Sequence, residues 1–541
     1  MLNKVSRLFH TIKFLRPRQI FWRAVYLFPR FICLYKSQKK FNTIAASKFF
    51  IGRTGITTDF DSFTFLNETF SLSEGGWDNP KASKLWRYNL HYFEFLLDEK
   101  LSIESKANII ENWILENPIG KGSGWEPYPT SLRIINWIKW HWTAGCLSAT
   151  AIESLWIQSK WLSARPEFHL LGNHLFVNAK AMIFSAGFFG LNPKDKILML
   201  GVKILNEEIE EQFLTDGSHF ELSPMYHALA MEDLIDLYNV SDLVQTKLSL
   251  ETIREKIKKG LFWLEQLTFS NNEFAFFNDC SNGIAPTLES LRTYANSLGI
   301  HLGVNTANEL NDFNKSGYVV VRNSTIHLIA DCGNIGPDYL PGHAHADTLS
   351  FELSILGNRI IVNSGTGEYG SSDERLRQRG TSAHSTIEVD GYDSSEVWSG
   401  FRVARRARIL DKKILRNPTS ICFEASHNGY HRLKNRAVHR REWTISMGNC
   451  RIDDYVNGSN NKIISRFYLH PELEVEMNNR ILYVKKRGEN LAVMKFEQEF
   501  ELIQSSYYER FGEKRQNSCI LIKGTTPFSS SLTISWPVCA E

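Results

Sequence analysis

The chain has 541 residues, 43% of them hydrophobic and 22% charged, which excludes a disordered tail and leaves room for two or three domains with a large core. A formal charge of +3 is near balance and does not indicate whole-chain attraction to nucleic acid or membrane, so any affinity for anions must come from local clusters. Eight cysteines without a CxxC pair exclude a zinc ribbon and a dense disulfide framework, and read mostly as buried free thiols.

Residues 1–50 form a basic, aromatic arm, "MLNKVSRLFHTIKFLRPRQIFWRAVYLFPRF" and onward. Cations interrupt every apolar run, so it lacks the core and cleavage site of a secretory signal and the apolar length of a membrane span. Two readings stay open: an amphipathic arm packed on the body, or an interfacial, peripheral membrane contact. Cytoplasmic and cell-envelope locations both remain open.

Residues 51–305 read as helix after helix. "NLHYFEFLLDEKL", "ANIIENWILEN", "SLRIINWIKWHW", "AIESLWIQSKWLSA", "NHLFVNAKAMIFSAGFF", "DKILMLGVKILNEEIEEQFL", "YHALAMEDLIDLYNV" and "ETIREKIKKGLFWLEQLT" place apolar residues three and four apart. Such hairpins suit a toroid or a bundle. From 315 to 541 the period drops to two, as in "GYVVVRNSTIHLIADCG" and "TLSFELSILGNRIIVNSG", with turn signals every eight to twelve residues. That pattern describes an antiparallel β-sandwich. The fold class is therefore α+β and multidomain, with a site expected in the cleft between the halves.

Several strings carry polar chemistry. "PGHAHADTLSFEL" sets His343, His345 and Asp347 at alternate positions before a strand; "GNHLF" opens a helix with Asn173 and His174; "ELSPMYHALAME" holds Tyr226. Read without relatives, Asn173 is a favoured helix cap, Tyr226 a buried anchor, and the histidines polar groups entering a sheet.

These strings, with "WRYNLHYFEFL", "GWEPYPTSLRIINWIKW", "FFNDCSNGIAPT" and "RGTSAHSTIEVDG" in this order, resemble the heparinase II/III family of polysaccharide lyases over residues 85–395. The resemblance implies an incomplete (α/α) toroid followed by an antiparallel β-sandwich, and β-elimination at a uronic acid of an anionic polysaccharide. That chemistry needs a group to neutralise the uronate carboxylate, a base for the C5 proton and an acid for the leaving C4 oxygen. The resemblance assigns neutralisation to Asn173 and His174, and proton transfer in both directions to Tyr226, with His343 beside it. A free phenol has a pKa of about 10, so Tyr226 is expected to need positive neighbours.

The resemblance also implies a structural zinc held by His345, a carboxylate and His384. Asn363 stands at the carboxylate's position, so the expected site is weak or empty, or a metal-free cluster of His345, Asn363 and His384. No organic cofactor is implied, and Asp347 is expected to support the loop. Arg379 and Arg402, from the runs "DERLRQRG" and "FRVARRARIL", are candidates for binding substrate, as are Tyr369 in a "GTGEY" loop and Glu221. A glycoside hydrolase using two of Glu126, Asp216, Glu221, Glu232 and Asp279 remains an alternative, as does a non-catalytic polysaccharide-binding or assembly protein.

Overall fold

The computed structural model describes residues 2–28, 48–53, 56, 61–144, 147–244, 248–303 and 309–537. Residues 29–47 of the expected arm lie outside the described residues. Helices Leu2–Ile12 and Pro17–Tyr26 open the chain, and the helical half runs from Lys84–Tyr92 to Leu288–Ser297.

Local sequence sets most helix starts. Ser83, Ser102, Ser148, Asp195, Ser223, Ser249 and Thr287 each stand just before a helix and accept a backbone N–H of its first turn with the side chain. Such a cap contributes about 1 kcal/mol. The expected helix over "NLHYFEFLLDEKL" is shorter than its pattern: it stops at Tyr92, Phe93 turns left-handed at φ 62°, and a 3-10 turn follows at Glu94–Leu97. Packing overrides periodicity there, because the buried Phe93 ring stacks on Trp77 at 5.5 Å and meets Trp137 edge-on.

Two antiparallel sheets form the second half. The nine-stranded sheet runs Glu501–Arg510, Glu513–Thr525, Lys462–Leu469, Asn358–Val362, Phe351–Ile355, Ile326–Asp331, Tyr318–Arg322, Leu310–Asp312, with Ile387–Val389 also paired to Lys462–Leu469. The eight-stranded sheet has Ile409–Asn417 and Glu474–Asn478 at its edges. Inward residues of both, among them Leu328, Phe351, Phe423 and Trp443, make one core. Strand Ile409–Asn417 begins at the end of the run "FRVARRARIL" and is not among the strands expected from sequence. It is a solvent-facing edge, and its cations belong to the charges that keep such edges from pairing with other chains.

The halves share apolar core. The helical cluster continues into Val362, Tyr468, Tyr507 and Leu521 of the nine-stranded sheet, and Trp263 and Phe277 pack with Tyr318, Val320 and Ile329. The loop residues between them are thereby held at fixed positions. Cys280, Cys332, Cys422, Cys450 and Cys519 are free thiols.

Candidate active site

A cleft of about 470 Å³ opens between the halves, lined by Asn173, His174, Glu221 and Tyr226 from the helical side and by His343, Tyr369, Phe401 and Phe511 from the other. It adjoins a second cavity of about 540 Å³ that shares Tyr128 and Asn173 with it.

Tyr226 sits in the first turn of helix Pro224–Asn239, whose start is fixed by Ser223. The Ser223 hydroxyl accepts the Tyr226 N–H at 3.3 Å and donates to the Asp279 carbonyl at 2.6 Å. The Tyr226 ring stacks on the His343 imidazole with centroids 3.9 Å apart, and its hydroxyl shares a 2.8 Å hydrogen bond with that of Tyr369. Burial, then Tyr369 and Asp279, push the Tyr226 phenol well above its ordinary pKa. This differs from the expectation of positive neighbours: the resting residue is a neutral hydroxyl.

His343 is oriented from behind. Its Nδ1 donates to Asp279 Oδ2 at 2.9 Å, and its Nε2 lies 3.7 Å from Glu221 Oε2. Asp279 is wholly buried and also accepts from His345 Nε2 at 2.8 Å and from both terminal nitrogens of Arg375. Burial alone would raise the Asp279 pKa; Arg375 and the two imidazoles overcome it and hold the carboxyl well below the usual range.

Asn173 is not the helix cap. The cap position of Gly172–Phe188 belongs to Leu171, and Asn173 faces the cleft, its amide donating to the Tyr128 hydroxyl at 3.3 Å. Gly172 makes this entry possible: its φ is +58°, and a Cβ there would lie 2.3 Å from Leu340 Cδ2. The His174 ring lies tilted against Tyr128 with centroids 4.4 Å apart, and its Nδ1 donates to Glu167 Oε1 at 3.1 Å. Burial disfavours the His174 cation, but Glu167 and Glu221 outweigh burial and raise its pKa. Glu221 is buried with no hydrogen bond to Oε2, and burial raises its pKa despite His343 and His174.

Several expected contacts fall elsewhere. Arg379 does not reach the cleft: it is wholly buried and donates to the carbonyls of Ala344, Ser399 and Arg402. It clamps the loop between His343 and His345. Arg402 lies exposed over the Trp398 ring, 5.0 Å from its centroid, and is not among the cleft residues. Neighbouring cations are taken up by Glu396 and Asp338. Of the five carboxylates considered for hydrolysis, only Glu221 lines the cleft with Tyr226 and His343. Glu126 pairs with Lys84, Asp216 accepts the Lys315 and Ser316 N–H groups, Glu232 pairs with Arg53, and Asp279 is held by Arg375.

His345 Nδ1 and His384 Nε2 lie 3.3 Å apart, and burial lowers both pKa values, that of His345 to about 4. The amide oxygen of Asn363 accepts the Ser385 N–H at 3.1 Å. Two imidazole nitrogens and an engaged amide do not make the four donors of a structural zinc, and among the described residues no group of three His, Cys, Asp or Glu side chains is placed to hold a metal. Asp347 does brace the loop, accepting the Asn278 N–H at 3.2 Å. Sequence reasoning did not give Asp279 or Glu167 their supporting places. Asp279 lies inside the string "FFNDCSNGIAPT" and Glu167 shortly before "GNHLF", but only the fold shows that they face histidines.

The buried clamp leads to a direct expectation. Arg379→Ala leaves the Ala344 carbonyl short of its donors and should lower stability by about 1–3 kcal/mol. Thermal unfolding measures this; an unchanged melting temperature would remove Arg379 from the clamp.

The model of the heparinase II/III N-terminus matches residues 141–298, and that of the heparinase II/III-like C-terminal region residues 305–536. A heparin-sulfate lyase of Bacteroides stercoris is 24% identical over 331 residues, covering 56% of this chain and 46% of that protein. One of Bacteroides thetaiotaomicron is 24% identical over 386 residues, covering 59% and 54%. The chain thus spans about half the length of the curated relatives it matches. Among solved structures, Heparinase III aligns with a TM-score of 0.66 at 19% identity, covering 85% of this chain and 77% of that one. The heparan sulfate lyase of Pedobacter heparinus aligns at 0.59 and 15% identity, covering 97% and 88%. The fold is that of these lyases, a helical toroid joined to an antiparallel β-sandwich, and the chain belongs to the heparinase II/III family.

Proposed function

We propose that the protein is a polysaccharide lyase that cleaves a uronate-containing polymer by β-elimination. The observation that carries this reading is the stacked Tyr226–His343 pair facing Asn173 and His174 across one cleft, without a second cleft carboxylate beside Glu221. Hydrolysis needs two carboxylates across the bond. Elimination needs what is present.

In this reading the Asn173 amide and the His174 imidazole donate to the uronate carboxylate as charge spreads onto it. His343 Nε2 takes the C5 proton, with Asp279 stabilising the imidazolium that forms. The C4–O bond breaks, C4 and C5 form a double bond, and the Tyr226 hydroxyl protonates the leaving oxygen. Proton transfer from His343 to the Tyr226 phenolate, one ring away, restores both groups. Tyr226 is assigned the acid's part alone because its surroundings raise its pKa.

The substrate class follows from charge. Arg53, Lys139, Lys180 and Arg510 line only the adjoining cavity; among the described residues no lysine or arginine lines the 470 Å³ cleft. Such a lining suits a polymer bearing carboxylates and few or no sulfates on the two sugars at the scissile bond, because each sulfate buried without a cation is costly. The test is ultraviolet absorbance of the unsaturated product, followed on an unsulfated uronate polymer, its sulfated form and its carboxyl-reduced form. Absorbance should rise fastest with the first and not at all with the last. Reducing ends without absorbance would mean hydrolysis, and binding without product would mean a non-catalytic protein. Asn173→Ala should lower kcat about 10²- to 10³-fold with a smaller change in KM, since its donor works mainly as charge develops.

For the metal, the proposal is a site that retains zinc poorly. Asn363→Asp would add the missing carboxylate beside His345 and His384 and should raise zinc retained after dialysis against chelator. Elemental analysis decides; equal, stoichiometric zinc in both proteins would refute it.

A further inference from the structure

The first helix is mounted inside out, and the second leaves apolar residues exposed beside it. A surface helix ordinarily turns its apolar stripe to the core and its polar face to water. In Leu2–Ile12 the apolar stripe is Val5, Leu8, Phe9 and Ile12, spaced as one helical face, and all four are exposed, Phe9 by 64%. The inward side is polar. Ser6 accepts from Arg405 at 2.7 Å, and Thr11 accepts from Trp398 at 3.1 Å while its hydroxyl donates to the Arg7 carbonyl at 2.8 Å. Helix Pro17–Tyr26 has a mixed inner side, where Trp22 stacks on Phe168 at 4.9 Å and Tyr26 meets His169 edge-on, and it still leaves apolar residues outside. Gln19 is the buried residue, donating to the Leu170 and Tyr339 carbonyls, whereas Ile20 and Phe21 are exposed by 50% and 61%, and Leu27 and Phe28 just beyond the helix by more.

Charge accompanies this face. Residues 2–28 contain Lys4, Arg7, Lys13, Arg16, Arg18 and Arg23 and no acidic residue. Arg16 and Arg18 anchor the arm to Glu211 and Glu207, and Arg7 is 3.9 Å from Glu396. Lys4, Lys13 and Arg23 form no ion pair among the described residues. No helix among the described residues is long and apolar enough to cross a membrane.

We propose that these two helices are a docking face for the surface of an anionic lipid membrane, lying in its plane with the apolar residues among the acyl chains and the cations at the headgroups. A second copy of the chain fits the same face less well, because a two-fold contact sets identical basic patches against each other. Arg16 covers the Tyr339 ring at 3.7 Å, and the next residue, Leu340, lines the cleft. Docking therefore places the cleft beside the bilayer.

The test is co-sedimentation of the full chain with vesicles of phosphatidylcholine alone or with 30% phosphatidylglycerol, with about 30% chosen as a strongly anionic surface. Binding should require the anionic lipid and weaken as salt rises from about 0.1 M to 0.5 M, where screening shortens the reach of charge. The Leu8→Glu, Phe21→Glu variant alters only exposed side chains; it should keep its melting temperature and bind at least about tenfold more weakly. Lys4→Glu should weaken binding about fivefold. Failure to bind the anionic vesicles, or binding unchanged in the double variant, overturns the proposal. So does a dimer in sedimentation equilibrium that the double variant dissolves while vesicles go unbound. None of these outcomes depends on the reaction assigned to the cleft.

Discussion

Tyr226→Phe should lower the elimination rate by about 10²- to 10⁴-fold, the range typical of a lost general acid or base, with polymer binding and melting temperature preserved. The substitution removes one hydroxyl and the hydrogen bond to Tyr369, while the ring still stacks on His343. The loss should appear in kcat, because the O–H bond is used only as the C4 oxygen departs. His343→Ala should fall comparably and the double variant little further, since the two groups serve one transition state. Initial-rate ultraviolet assays on the four proteins decide the matter. Full elimination activity in Tyr226→Phe would sink this mechanism and move the acid's role to Tyr369 or Glu221.

Asp279→Ala should be the most damaging single change away from the reacting atoms. It leaves Arg375 buried without its carboxylate and frees the imidazoles of His343 and His345; removing one partner of a buried pair costs about 3–5 kcal/mol. Asp279→Asn is the gentler probe, since an amide keeps the volume but presents an N–H where an acceptor is needed, as in the serine-protease triad. It should fold and still lose turnover. The sign of the pH dependence follows from the depressed pKa. The stabilisation by ionised Asp279 is fully present above its unfolded pKa of about 4 and is lost as pH falls through the lower folded value. Denaturant unfolding of wild type and Asp279→Asn at pH 7 and in acid should therefore converge at low pH. A gap that stays constant would refute the charge argument.

The legible parts of the molecule were those that short segments decide. Serine caps, helical stripes and alternating strands each need only neighbouring residues, so the toroid-then-sandwich order could be read before any packing was known. Phe93 shows where this stops, because its backbone answers to Trp77 and Trp137 rather than to the helical period. The site divides in the same way. Asn173, Tyr226 and His343 could be nominated from their strings, yet their juxtaposition brings His343 to residues more than a hundred positions earlier in the chain. The arginines were misjudged because a run of cations looks alike whether it faces solvent, substrate or the interior. Arg375 and Arg379 lie one turn apart on helix Asp373–Arg379, both buried, one bound to a carboxylate and the other to carbonyls. Only partners distant in sequence distinguish them.

Asp279 belongs to the loop after helix Leu250–Gln266, whereas His343, His345 and Arg375 all come from the sandwich. One carboxylate is thus the keystone between two pieces of chain that are contiguous in sequence but separately wound. Fragments divided near residue 305 should each be silent in the ultraviolet assay, with the imidazole in one tube and its orienting anion in the other. Mixing them should restore activity only as fast as the apolar seam between helices and sheet re-forms. Recovered turnover then becomes a clock for domain assembly, and Asp279→Asn should stop that clock without preventing the fragments from meeting.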